Sequence, residues 1–142
     1  MPDSGELAAA IRCEPPDPCF YTPKISPGTR LTIAHAEIES LVIRRDQADR
    51  VESIYIKFSS DDFDDVLRAL QGKYKGIKCE NSQVQSGLGA SFKQTHCHYT
   101  DKQGFLRAVR RDSTVNDATL MMMSHQAIKA RAQADKRKGP DL

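Results

Sequence analysis

Tryptophan is absent from this sequence, and aromatic residues make up only 6% of its 142 residues. No segment approaches the roughly 20 apolar residues of a membrane span. The net charge is only +2, so the chain has no strong overall field to attract nucleic acid or another polyanion. With 39% apolar and 28% charged residues, the composition is typical of a single soluble globular domain.

Recognisable catalytic motifs are also missing. Gly87-Leu88-Gly89 is followed by neither the lysine nor the helix of a phosphate-binding loop, and no nucleophile has a base at a known spacing. Four aspartates crowd the first turns of a predicted helix: Asp61, Asp62, Asp64 and Asp65. Water and the positive end of the helix dipole account for them there. We therefore predict a protein that is not an enzyme and holds no cofactor.

The sequence contains four cysteines in two close pairs. Cys79 and Cys97 lie at equal distances from Leu88, with an extended-looking segment on either side. If Leu88 marks a hairpin turn, the two sulfurs meet across the strands, because opposed Cβ atoms there lie about 4.5–5.5 Å apart, near the distance that a disulfide accepts. Cys13 and Cys19 enclose a proline-rich turn that a second disulfide would close. We expect Cys79 to pair with Cys97, and Cys13 with Cys19.

Two disulfides indicate an oxidising compartment, and we expect the protein to be periplasmic. Residues 1–6 lack the basic and apolar regions of a signal peptide, so this expectation requires that an export signal has been removed. The alternative is a cytosolic protein with four free thiols.

The composition divides the chain into three parts. Residues 1–27 contain six of the seven prolines and allow little regular structure beyond a short helix. Residues 28–128 have the patterns of a single α+β domain. Residues 129–142 form a basic tail that we expect to be partly disordered, and it has no aromatic residue to stack on bases.

The central part predicts an antiparallel meander with one main helix. Seven segments have β-branched or alternating apolar patterns: 30–36, 41–43, 51–58, 78–85, 90–99, 105–111 and 119–124. A helix over 33–41 is the alternative for the first two. Phe63, Val66, Leu67 and Leu70 form the apolar stripe of an amphipathic helix from Asp61 to about Gln71. We expect a disulfide-stapled sheet of about five to seven strands with this helix packed on one face, since strands joined by short turns pair as antiparallel neighbours.

Two groups of side chains in the meander are candidate binding residues. His96 and His98 share one strand face and could chelate zinc or copper if His35 or His125 supplied a third ligand, although a polar strand face is the simpler interpretation. Three arginines form a basic sheet surface: Arg107, Arg110 and Arg111. Alternation places Arg107 and Arg111 on one face, and arginine is enriched at protein interfaces. Together with their aromatic neighbour Phe92, these two are the candidate protein-binding residues.

The stretch from Ile54 to Cys97 also carries a resemblance. It combines an apolar strand at 54–58, the helical segment 62–70, Lys73-Tyr74 before one cysteine and Gly89-Ala90-Ser91-Phe92 before the other. This pattern resembles small exported domains of Gram-negative bacteria, periplasmic or lipid-anchored, some of which are immunity proteins that neutralise effectors delivered by secretion systems. The resemblance covers packing residues and implies no catalytic residue.

We therefore expect a non-enzymatic protein-binding module, most concretely a periplasmic immunity or inhibitor protein whose partner is a cognate effector. The expected partners include neither nucleic acid nor a membrane span, while a lipid anchor on the precursor stays open. The alternative is a periplasmic accessory protein that binds a small ligand, or a metal through His96 and His98.

Overall fold

The computed structural model describes residues 18–22, 31–46, 50–126 and 129. Within these residues it contains eight strands and one complete α-helix, which follows a short 3-10 turn at Ser60–Asp62; His125, Gln126 and Lys129 are also helical. The elements in chain order are β1 (Cys19–Tyr21), β2 (Thr32–Ile33), β3 (Ala36–Arg45), β4 (Val51–Ser59), α1 (Phe63–Lys73), β5 (Lys78–Gln85), β6 (Ser91–Thr100), β7 (Gly104–Val109) and β8 (Asp117–Ser124).

The strands form one antiparallel sheet in the order β1-β3-β4-β8-β7-β6-β5, with β2 paired to β3. The last four strands are neighbours in chain order, which confirms the predicted meander. β8 then pairs with β4 from Ser53↔Met123 to Ser59↔Asp117. The helix α1 therefore connects the middle of the sheet to β5 at its far edge. The predicted α+β fold is confirmed.

The N-terminal half of the sheet differs from the expectation in two ways. The strand predicted over 30–36 is only the two-residue β2, and the strand predicted over 41–43 is part of the longer β3, which begins at Ala36. A hairpin turn joins β2 to β3, and in it Ala34 and His35 have φ values of 48° and 70°. Both residues adopt the left-handed conformation that a two-residue hairpin requires, and the alternative helix over 33–41 is wrong. In addition, β1 pairs with β3 although no strand was expected before residue 28.

The helix begins and packs as its sequence predicts. The Ser59 side chain accepts a hydrogen bond from the Asp61 N–H at 3.2 Å and caps the 3-10 turn. Phe63, Val66 and Leu70 are buried, whereas Leu67 is half-buried at the margin of the same stripe. These side chains cover one face of the sheet, which we call the helix face. Its buried strand residues include Ile56, Phe58, Leu106, Ala108, Ala118 and Leu120.

The predicted hairpin disulfide is confirmed. Cys79 faces Cys97 in the β5–β6 ladder, their sulfurs are bonded, and their Cα atoms are 4.0 Å apart. Cys97 is buried and Cys79 is exposed. Cys19 is also disulfide-bonded, while its predicted partner Cys13 lies outside the described residues.

The short helix predicted within the first 27 residues and nearly all of the basic tail lie outside the described ranges. Among the described residues, no helix is long and apolar enough to cross a membrane.

Candidate protein-binding face

Strand alternation gives the sheet a second face, opposite the helix, which we call the distal face. The pairing registers place one side chain from each of seven strands in a single line across it. We call this line the cross-sheet row: Phe20, Val42, Tyr55, Met121, Arg107, His98 and Lys78. Its first four members are apolar or aromatic, and its last three are basic.

The two halves of the cross-sheet row differ in exposure. Phe20 is 41% exposed, and the three residues next to it are half-buried. Arg107, His98 and Lys78 are exposed. Neither Arg107 nor Lys78 forms an ion pair with any residue in the described part of the chain. The row therefore combines accessible apolar surface with positive charge that the described residues leave uncompensated.

Flanking residues widen the apolar half of this row. Phe105 and Met123 face each other across β7 and β8, one step along the strands from the row, and both are half-buried. With Met121 and Tyr55 they form a patch rich in methionine and aromatic side chains. Such side chains are enriched where proteins bind one another.

A polar cluster borders the opposite side of the row. Lys57 Nζ lies 3.3 Å from Asp117 Oδ2, which also accepts a hydrogen bond from the Thr114 hydroxyl at 2.7 Å. That hydrogen bond, with Lys57, lowers the pKa of Asp117. Burial, together with the hydrogen bond to Asp117, raises the pKa of Glu39. The charge of Lys57 is compensated by Asp117 within this cluster, so the exposed positive charge of the row comes from its basic end.

The candidate residues Arg111 and Phe92 come together, but away from Arg107. The Arg111 guanidinium lies 4.9 Å from the centre of the Phe92 ring. Arg111 also donates to the carbonyl oxygens of Lys93, at 2.8 Å, and Val115. Arg107 stands four residues earlier, about 13 Å away along an extended strand. Arg111 therefore holds the loop before β8 against β6, and Arg107 belongs to the cross-sheet row.

Arg110 corrects the expectation of a basic surface. It is buried on the helix face, with its Nη2 atom 2.7 Å from Asp64 Oδ1 and its Nε donating to the Thr95 hydroxyl at 3.1 Å. Its guanidinium lies 4.7 Å from the centre of the Phe63 ring. The hydrogen bond from Arg110 lowers the pKa of Asp64. One of the four aspartates thus joins the start of the helix to the sheet.

His96 and His98 share the distal face, as alternation predicts. His98 stands between Lys78 and Arg107 in the cross-sheet row, and two neighbouring cations disfavour a bound metal ion. In the described ranges no three His, Cys, Asp or Glu side chains come close enough to hold a metal. The metal hypothesis therefore gains no third ligand from His35 or His125.

A small cleft opens at the end of the sheet beside the C-terminal end of α1, and no pattern in the sequence predicts it. It encloses about 170 Å³, with Ile54 and Met122 among its lining. The rings of Tyr74 and Tyr99 lie 5.3 Å apart at its wall, and the Tyr99 hydroxyl is 3.2 Å from an oxygen of Asp101. Backbone hydrogen bonds from the following turn lower the pKa of Asp101. The cleft is large enough for one ring-sized group.

Comparison with protein-family models, curated proteins and solved structures found no match to this chain.

From the cross-sheet row, the sequence identified only Arg107 and His98. Val42 and Tyr55 lie on β3 and β4, which follow each other in the chain, whereas Phe20 and Met121 join them through pairings that no local pattern encodes. The available signal was alternation: Val42 and Tyr55 occupy the polar phase of their strands while being apolar or aromatic themselves.

Proposed function

We propose that this protein is a non-enzymatic protein-binding module that binds its partner through the distal face of the sheet. The observation that supports this proposal best is the cross-sheet row, in which accessible aromatic and methionine side chains continue directly into basic ones that form no ion pair within the described ranges. Arginine and tyrosine are common anchors of protein interfaces, and phenylalanine and methionine are enriched there.

The two halves of the row define the chemistry of the partner. The apolar half, from Phe20 to Met121, suits a surface with exposed apolar side chains. Arg107 and Lys78 suit carboxylates, since the guanidinium group of an arginine can hold a carboxylate through two parallel hydrogen bonds. The partner is therefore a protein whose contact surface carries acidic residues beside an apolar patch.

More specifically, we propose a periplasmic immunity protein that neutralises a cognate effector. The disulfide is compatible with an extracellular or periplasmic location, and the resemblance of the stretch from Ile54 to Cys97 favours this class. An immunity protein needs a rigid binding surface rather than catalytic groups. A sheet stapled by a disulfide supplies such a surface.

The test is binding to the product of a neighbouring gene that encodes an exported protein with a hydrolytic domain. Isothermal titration should show tight binding, and Arg107→Glu should weaken it at least about tenfold by replacing attraction with repulsion. Arg68→Glu is the matched control, because Arg68 is also an exposed arginine but lies on the helix, away from the distal face. The wild type should also protect cells that produce the effector.

Two results would overturn the proposal. The first is no binding to any exported neighbour product, or a neighbour that is plainly a metabolic enzyme. The second is binding that Arg68→Glu weakens as much as Arg107→Glu does, because the distal face would then not be the contact surface.

The cleft beside α1 supports a second candidate, a small-ligand accessory function. Asp101 and Glu52 give its rim negative charge, and two tyrosine rings can stabilise a cation. The ligand would be a ring-sized organic cation. Titration with benzylamine, followed by NMR, should shift the Tyr74 and Tyr99 signals at millimolar concentration, and a Tyr99→Leu variant should lose the shifts. Unchanged signals would eliminate this candidate.

A further inference from the structure

The strand β5 ends the sheet with a row of backbone groups that point away from it. The Ser86 N–H donates to the Ala90 carbonyl at 2.8 Å, which fixes the phase of hydrogen bonding in the β5–β6 ladder. Even-numbered residues of β5 therefore bond to β6, and odd-numbered residues direct their N–H and C=O groups outward. The outward-directed residues are Cys79, Asn81, Gln83 and Gln85.

The disulfide supports this phase independently. Cys79 and Cys97 have Cα atoms only 4.0 Å apart, which fits a pair without mutual hydrogen bonds, where the separation is about 4.5 Å, rather than a bonded pair at about 5.5 Å. No described residue pairs with the outer side of β5. At the opposite edge the sheet ends in the three-residue β1, whose Cys19 and Tyr21 have further interactions.

From Asn81 to Gln85 the outer edge of β5 lacks the features with which proteins usually prevent edge pairing, and its two charged residues, Lys78 and Glu80, lie at its N-terminal end. It contains no proline, its eight pairs with β6 run without a bulge, and no residue after Glu80 is charged. The strand is also long enough to offer several consecutive hydrogen bonds. Such an edge is suited to receiving another strand.

We propose that the occupant of this edge is β5 of a second copy of the chain, in an antiparallel arrangement with Ser82 on the two-fold axis. In this register Cys79 faces Gln85 of the second copy and Asn81 faces its Gln83. All four outward residues are then used in each copy, which gives about eight hydrogen bonds. Moving the axis to Asn81 or Gln83 would leave an end residue unpaired.

Side chains agree with this self-pairing. Glu80 faces Val84 of the second copy, so no like charges oppose each other within the ladder. On the helix face, the Asn81 oxygen already accepts a hydrogen bond from the Thr95 hydroxyl at 3.0 Å. Its amide nitrogen stays available to donate to the oxygen of Gln83 in the second copy. The surface is thus self-complementary, as a two-fold interface requires.

The dimer would join two sheets into one and place both distal faces on the same side, because the two-fold axis runs perpendicular to the sheet. The basic ends of the two cross-sheet rows would both reach the seam, about 26 Å apart along the strands, because each Lys78 lies four residues from the axis. The dimer does not depend on the proposed function, since β5 pairing is a property of the isolated protein.

Sedimentation of the purified protein over about 1–300 µM is the first test, because a contact of this size gives modest affinity. We expect a monomer–dimer equilibrium. Gln83→Pro should abolish the dimer, since proline removes an outward N–H while the inner bonds to β6 stay intact. Gln83→Ala is the control that keeps the N–H and the dimer. Circular dichroism and the melting midpoint show that both variants are folded.

Site-specific crosslinking tests the register itself. Ser82→Cys should form a disulfide-linked dimer under mild oxidation, because the two introduced sulfurs face each other on the axis. Val84→Cys should not form this disulfide-linked dimer, because the two introduced cysteines would lie about 13 Å apart along the strands. A wild type that stays monomeric throughout, a dimer that survives in Gln83→Pro, or equal crosslinking of the two cysteine variants would each overturn the proposal.

Discussion

Removal of the Cys79–Cys97 disulfide should lower the free energy of unfolding by about 3 kcal/mol. The bond closes a loop with a sequence separation of 18, and the chain-entropy relation for a loop of that length gives about 3 kcal/mol at 25 °C. The variant to use is Cys79→Ser with Cys97→Ala. Cys79 is exposed and tolerates a hydroxyl, whereas Cys97 is 1% exposed and requires an apolar replacement.

Urea denaturation at protein concentrations where the chain is monomeric measures this loss. Ser82→Ala is the matched control on the same strand and should change stability by less than about 0.5 kcal/mol, as exposed substitutions usually do. If the double cysteine variant loses no more free energy of unfolding than Ser82→Ala does, the predicted stabilisation by the disulfide is refuted. Such a result would mean that the disulfide does not restrict the unfolded chain in the way assumed.

Hydrogen exchange separates the global effect from a local one. In β5 the side chains are exposed except for the half-buried Val84, so apolar packing contributes little to holding this strand. Without the disulfide, the amides of β5 should exchange much faster than those of the central strand β4. Equal acceleration in both strands would show that β5 opens only when the whole domain unfolds.

Three further predictions concern the packing of the helix and the sheet. Gly104→Ala should destabilise the protein by at least about 2 kcal/mol, because the new Cβ would lie 2.4 Å from a carbonyl oxygen of the facing strand. Gly72→Ala places its Cβ in open space and should stabilise the helix by up to about 1 kcal/mol. Thermal unfolding of the two variants checks both values. Asp64→Asn should cost about 1–2 kcal/mol at pH 7, a figure kept low because the aspartate is 65% exposed. The pKa of this aspartate is lowered in the folded state, so its contribution to stability is present above its unfolded pKa and is lost as pH falls through its folded pKa. The free energies of unfolding of wild type and variant, measured by urea titration, should therefore converge in acid. A difference that stays constant with pH would contradict the ion pair. Leu70→Ala should cost about 2–4 kcal/mol and Leu67→Ala clearly less, since only Leu70 is fully buried; equal losses in chemical denaturation would contradict the helix orientation.

Local patterns were enough to predict the elements whose partners lie nearby in the chain. The equal spacing of Cys79 and Cys97 about Leu88 predicted both a hairpin register and a disulfide, because a tight turn fixes which residues face one another. The 3.6-residue periodicity of the stripe from Phe63 to Leu70 likewise predicted the helix and its buried face.

Three features were predicted less well, because their partners are distant in the chain or because a turn contains none of the usual turn residues. The strand β1 is three residues long, too short to show a period, and exists because β3 offers it an edge. The turn at Ala34 and His35 contains no glycine, so its left-handed conformation had no sequence signal. Arg110 was assigned to the surface because its strand pattern alone does not show Asp64 approaching from the helix.

By itself, the sequence determined the meander, the amphipathic helix and the hairpin disulfide, since each depends on periodicity or spacing over a few tens of residues. Only the tertiary structure decided that β4 lies beside β8, and this single pairing aligns Tyr55 with Met121 and Arg107. The cross-sheet row and the open edge of β5 both follow from the order of strands. That order is set by long-range burial of apolar faces, which depends on how all the elements pack at once.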